Sequence, residues 1–168
     1  FWVSDRNKDG KLKHEINTVY LYNFLQLNGF YALHDENSTI TQYVRLEGNI
    51  VKRITVKDIR EFAASWVRER YEDLEVLNLI LNSPKFSPAS LESLQEIDLD
   101  FTSHTAKSQL FFFPNKTIEI TRPTSPDDDG IREYTPGSDD LHNYVWENNV
   151  IQHEYKKGED AFEIIRTK

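Results

Sequence analysis

One stretch of the chain constrains its fold more than any other. Residues 40–54 read as two β-prone runs, Ile40 to Leu46 and Ile50 to Ile54, joined by the tight turn Glu47-Gly48-Asn49. The returning strand runs directly into Thr55-Val56-Lys57-Asp58, a capping box that opens a helix with Asp58 at its third position. Val56, Ile59, Phe62, Ala63, Trp66 and Val67 then recur at helical spacing, the clearest apolar stripe in the sequence. A hairpin joined to an amphipathic helix points to an α+β fold, with helices packed against antiparallel hairpins.

The flanking sequence agrees. Phe1 to Val3 and Lys11 to Lys13 bracket the turn residues Asp5 to Gly10, so residues 1–14 are expected to form a hairpin. Residues 15–28 are expected to form a helix with Ile16, Val19, Tyr20, Phe24 and Leu27 on its apolar face, stopped by Asn28-Gly29. Phe30 to Leu33 reads as a short strand, followed by a polar turn at Asp35 to Ser38. A second helix over 72–82 would bury Leu74, Leu77, Ile80 and Leu81 and end at Ser83-Pro84, and Ser87-Pro88 starts a short one. From residue 97 the pattern turns to β. Leu110 to Phe113 and Thr117 to Thr121 flank the turn Pro114-Asn115-Lys116, and Ile131 to Tyr134 adds a further strand.

The expected architecture is therefore about three main helices with antiparallel hairpins near 40–54 and 109–121. It divides into a helix- and hairpin-rich subdomain 1–96 and a β-rich subdomain 97–168, or forms one compact domain 1–168. A helix followed by hairpin and helix also admits a winged-helix-like first half.

The 168 residues are 38% hydrophobic and 12% aromatic, enough to build a core and too many for global disorder. No apolar run approaches the length of a membrane span. Cysteine is absent, which removes disulfides, thiol catalysis and cysteine-held zinc. Methionine is absent too, and the chain reads as a piece excised from a longer protein. The net charge of −8 speaks against tight nucleic-acid binding by the whole surface, since phosphate neutralisation supplies much of such affinity. That charge is uneven: residues 42–70 lean basic, whereas 71–100 and 125–160 lean acidic.

Several motifs have both a plain and a sharper reading. Asp5-x-Asn7-x-Asp9-Gly10 matches the first half of a calcium-binding EF-hand loop, but its twelfth position is Ile16 rather than Glu, and the plain reading is a hairpin turn. Asp127-Asp128-Asp129 could gather a cation, yet it sits in a Pro/Ser/Gly-rich loop rather than on a rigid element. His104, in a polar stretch before a strand, is expected to have a structural role. Asn37-Ser38-Thr39 and Asn115-Lys116-Thr117 match the glycosylation sequon, a common chance match. No phosphate-cradling Gly-x-x-x-x-Gly-Lys-[Ser/Thr] loop occurs, and no Gly-x-Ser-x-Gly elbow. No catalytic residue and no metal site is assigned.

The candidate nucleic-acid-binding residues are Arg45, Lys52 and Arg53 on the 40–54 hairpin, with Lys57 and Arg60 on the helix that follows. They read plainly as an ordinary solvated face, and more sharply as a hairpin and helix laid along DNA phosphates. Lys52 and Arg53 are adjacent on a strand and leave it on opposite faces.

The order of short fragments adds a further indication. Phe1-Trp2, Gly10-Lys11-Leu12, Leu21 to Leu25 and Asn28-Gly29-Phe30 come first, then Gly48 to Val51 and Ile59 to Phe62. Leu99 to Thr102 with His104-Thr105, Phe111 to Phe113 with Asn115, and Tyr144 to Asn148 complete the series. In this order they resemble a segment of phage and mobile-element primase-helicases of the poxvirus type, lying upstream of a superfamily 3 helicase ATPase. The resemblance implies a non-catalytic accessory domain that positions the ATPase or guides DNA during replication, in a bacterial or phage-infected cytoplasm. It implies no cofactor in this segment, with ATP and Mg belonging to the parent's downstream domain. The implied partners are that adjacent helicase domain and DNA, bound weakly or through the parent, with any oligomer formed through the parent and no membrane involved. A protein-interaction module of a replication complex is the alternative, and a metal-dependent nucleic-acid enzyme using Asp127 to Asp129 or His104 a more distant one.

Overall fold

The computed structural model describes residues 1–33 and 41–157, and its fold is α+β, about 29% helix and 31% strand. Ile40, the turn at 35–38, His34 and the sequon at 37–39 lie outside the described residues. The chain divides into two compact units. The first comprises Phe1–Leu46 and Lys52–Asp98, and the second Glu47–Val51 and Leu99–Lys168. The tip of the central hairpin thus groups with the later half of the sequence.

The first unit begins with an antiparallel hairpin, β1 (Trp2–Arg6) against β2 (Leu12–Ile16), with Trp2 opposite Ile16 and Arg6 opposite Leu12. Helix α1 (Thr18–Leu27) starts three residues later than the periodicity suggests. Ile16 stays in the β ladder, and Asn17 caps the helix by accepting from the Tyr20 N–H at 3.1 Å. Its buried face is also different. Leu21 and Leu25 are fully buried, whereas Val19 is 71% and Leu27 78% exposed. Uncharged throughout, α1 offers apolar side chains in almost every direction, so periodicity alone could not select the inward stripe.

Strand β3 (Phe30–Leu33) pairs antiparallel with β4 (Gln42–Glu47) and parallel with β6 (Glu96–Ile97); β4 neighbours β5 (Ile50–Ile54). Helix α2 (Val56–Arg70) opens as expected. Asp58 donates its backbone N–H to the Thr55 hydroxyl, and the Asp58 carboxylate accepts from the Thr55 N–H and hydroxyl, both at 2.7 Å. These bonds hold the Asp58 carboxyl below the usual carboxylate range. Ile59, Ala63, Ala64 and Val67 are buried along the expected stripe. In α3 (Leu74–Asn82), Asp73 caps the helix through the Glu75 and Val76 N–H groups, and Val76 and Ile80 point inward. Leu74 and Leu81, expected in the core, are exposed. The short α4 (Pro88–Leu91) follows Phe86, whose ring is completely buried.

Thr55→Ala removes the hydroxyl half of the cap: the Asp58 N–H loses its acceptor and the Asp58 carboxylate one of its two Thr55 donors, while the bond from the residue-55 N–H remains. The substitution is expected to cost about 1 kcal/mol, read from urea unfolding. Because the Asp58 carboxyl is depressed in the folded state, its contribution is present above its unfolded value and fades as pH falls through the folded one. The gap between wild type and variant should therefore narrow in acid.

The second unit is built on an antiparallel sheet, β7 (Ser108–Phe112), β8 (Thr117–Thr121) and β9 (Ile131–Tyr134), in that order. Strand β10 (Val145–Trp146) runs parallel to Ile50 and Val51. Phe112, Leu141, Val145 and Val150 make a small core. Asn49 is 4% exposed and binds the 137–143 segment from three sides.

Candidate functional site

The five cations singled out in the sequence all belong to the first unit, and two of them, Arg45 and Arg60, have evident duties in the fold. Arg45 lies directly across from Phe30 in the β3–β4 ladder. Its guanidinium sits 5.3 Å from the Phe30 ring centre and 4.9 Å from that of Phe62, a cation–π contact on two rings. Arg60 Nη2 donates to the Phe86 carbonyl at 2.8 Å, tying α2 to the segment that carries the buried phenylalanine. Lys57 is exposed and stands 3.5 Å from Glu61, one helical turn on. Lys52 and Arg53 are consecutive in β5 and so leave it on opposite faces. The five therefore do not line one face. Arg70, at the end of α2, covers the Trp66 ring at 4.9 Å.

The other motifs are absorbed locally. The Asn7 carboxamide oxygen accepts from the Asp9 and Lys11 N–H groups, so the EF-hand-like loop is a hairpin turn. Asp128 accepts from the Thr124 N–H and hydroxyl and from the Gly130 N–H, which keeps its carboxyl below the usual range. Asp129 accepts from the Ile131 N–H. Asn115 of the second sequon exchanges two hydrogen bonds with the Tyr155 backbone. His104 bridges to Gln109 and is exposed. Among the described residues, no three His, Asp or Glu side chains are grouped so as to hold a metal ion. No helix among them is long and apolar enough to cross a membrane.

A different site stands out in the second unit, and its residues come from distant parts of the chain. Asp100 pairs with Asn143 in a parallel bridge: the Asp100 carbonyl accepts from the Tyr144 N–H at 2.7 Å, and Asn143 Nδ2 donates to the Asp100 carboxylate at 3.0 Å and to the Thr102 carbonyl at 2.9 Å. This pairing lays Phe101 against Trp146, their rings nearly parallel at 10° with centres 4.7 Å apart. Beside them is a cavity of about 220 Å³ walled also by Tyr144 and Phe111. A second cavity of about 410 Å³ adjoins it, sharing Ser103 and Leu110, and is lined by Asp100, Glu119, Arg132, Tyr134 and Asp140.

The electrostatics of the polar end follow from its bonding. Tyr134 donates to Glu119 Oε2 at 2.7 Å, across one step of the β8–β9 ladder. That hydrogen bond, aided by burial and by the carboxylate's charge, pushes the Tyr134 hydroxyl above the usual phenol range. Arg132 Nη1 stands 3.9 Å from the same carboxylate. Asp100 is held below the usual carboxylate range by the Thr102 backbone N–H at 2.8 Å and by the Thr102 hydroxyl. The two cavities meet at Ser103 and Leu110, one with an aromatic wall and the other with three carboxylates, and together are called the groove. Such a groove can stack planar groups and attract cations.

Sequence reasoning placed none of these side chains in a site. Phe101 and Trp146 lie far apart in the chain, and nothing local in either segment announces the other. Comparison with protein-family models, with curated proteins and with solved structures finds no match.

Proposed function

We propose that this chain is a non-catalytic accessory domain of a phage-type DNA primase-helicase that acts chiefly as a scaffold, positioning the neighbouring ATPase through protein contacts. DNA is guided weakly or by the parent protein. The ordered fragments of the sequence supply the family. The observation that favours scaffolding over DNA guidance is the engagement of Arg45 and Arg60 within the fold, on a chain of net charge −8. Each would have to give up a partner to meet a phosphate. The exposed Val19, Tyr20 and Leu27 of the uncharged α1, with Leu74 and Leu81 of α3, favour the same role, because apolar surface of this kind suits protein contact.

Two measurements test the reading. In anisotropy titrations at two salt concentrations, the isolated chain is expected to bind DNA feebly. Contact of all five cations with phosphate would instead give a log–log salt slope of roughly −4 to −5. In the parent protein, deletion of this segment is expected to leave ATP hydrolysis but uncouple it from unwinding. Undiminished unwinding, or a parent reading frame with no ATPase, overturns the proposal.

A further inference from the structure

We infer that the groove of the second unit captures an arginine or lysine side chain presented by an extended, basic segment of a partner protein. This rests on the scaffold reading and names what the scaffold would hold.

Three features of the groove carry the inference. At its aromatic end, Phe101 and Trp146 form a stacked pair bordering the cavity, with Tyr144 beside them, the type of wall on which a guanidinium or ammonium group settles. At its polar end, the charge is negative and remains so. Asp100 is hydrogen-bonded by Thr102 and Asn143, and these donors are neutral, so they hold the carboxylate ionised without cancelling its charge. Arg132 stands against Glu119, which leaves Asp100 and Asp140 as the anions available to an incoming cation. The shape is the third feature. Two adjoining cavities, one with an aromatic wall and one with carboxylates, suit consecutive side chains of an extended peptide better than one compact molecule.

Charge complementarity also argues against the other occupant that stacks on aromatics, single-stranded nucleic acid. Aromatic platforms for single strands are combined with a positively charged track for the backbone. Here the adjoining cavity carries three carboxylates, Asp100, Glu119 and Asp140, against the one guanidinium of Arg132, and acidic residues outnumber basic ones across the second unit.

The test is an amide NMR titration of the full chain with three probes: a blocked peptide with central arginine residues, its citrulline counterpart, and a short oligothymidine. The arginine peptide should move the Trp146 indole and the Phe101 and Asn143 amides, with the citrulline peptide much weaker. Asp140→Asn, an exposed change outside the fold's core, should weaken arginine-peptide binding roughly threefold. Phe101→Leu should weaken it roughly fivefold. Shifts confined to the acidic loop 125–130, equal binding of the citrulline peptide, or displacement of the Trp146 indole by oligothymidine would each overturn the inference. The two proposals fail separately. If unwinding by the parent needs this segment while the arginine peptide leaves the groove unmoved, only the groove assignment falls. If the segment is dispensable while the groove binds arginine, only the scaffold reading falls.

Discussion

Replacing Asn49 with alanine is expected to destabilise the second unit by about 3 kcal/mol, with the loss felt first in residues 137–143. The carboxamide donates to the Leu141 carbonyl at 3.1 Å and to the Asn143 carbonyl at 3.0 Å, and accepts from the Gly137 N–H at 2.8 Å. Truncation removes all three bonds at once around a side chain that is 4% exposed, and each hydrogen bond lost costs about 1 kcal/mol. Asn49→Asp sharpens the test. It preserves shape and the acceptor for Gly137, but sets a carboxylate oxygen against two carbonyls, and should be no better than alanine. Urea unfolding measures the free energy, and amide exchange locates it. A cost within 0.5 kcal/mol of zero, the range of ordinary surface changes, would mean the bonds are replaced by water. The consequence reaches the groove, because the pinned segment carries Asp140 and Asn143. Arginine-peptide binding should therefore fall in Asn49→Ala although Asn49 does not line the cavities.

The elements that could be read from sequence are those whose determinants are local. The capping box at Thr55 and the stripe through Val67 needed no partner to be recognised, and both form. The hairpins around Gly10, Gly48 and Asn115 are likewise announced by their turn residues. Legibility failed where several faces were chemically equivalent. Thr18–Leu27 contains so many apolar residues that Val19 and Leu27 looked as fit for burial as Leu21 and Leu25. In α3 the capping register at Asp73 sends Val76 and Ile80 inward, leaving Leu74 outside. The groove was out of reach for a different reason. It depends on Asp100 pairing with Asn143 and on Asn49 holding 137–143, contacts of large sequence separation that no window of residues contains. Charge read along the sequence does not show what each cation packs against. Arg45 and Arg60 look like a basic patch in one dimension, and in three they meet aromatic rings and a carbonyl.

Gly29→Ala is expected to be as damaging as Asn49→Ala, at about 3 kcal/mol, and its cause lies in the first unit. Gly29 joins the end of α1 to β3 with φ +81, a left-handed conformation that costs an alanine about 1–2 kcal/mol on its own. Its N–H caps the Gln26 carbonyl at 3.0 Å, and its carbonyl accepts from the Leu46 N–H at 2.8 Å, so the residue is fixed at both ends. A Cβ built here would fall on the Leu46 carbonyl oxygen, a backbone atom that cannot swing aside. Relief requires either unwinding the last turn of α1 or lifting β4 from β3, and with it Arg45 from the Phe30 ring. Gly10 supplies the control. It has a similar φ of +76, but nothing stands within 4 Å of where its Cβ would be, so Gly10→Ala should cost only the conformational share, about 1–2 kcal/mol. The difference between the two variants in urea midpoint isolates the steric contribution of the helix-to-strand junction. Equal losses would show that the junction yields freely. A larger loss at Gly29, together with changed NMR signals for Phe30 and Phe62, would show that the close approach of Gly29 to β4 is what holds Arg45 over its rings.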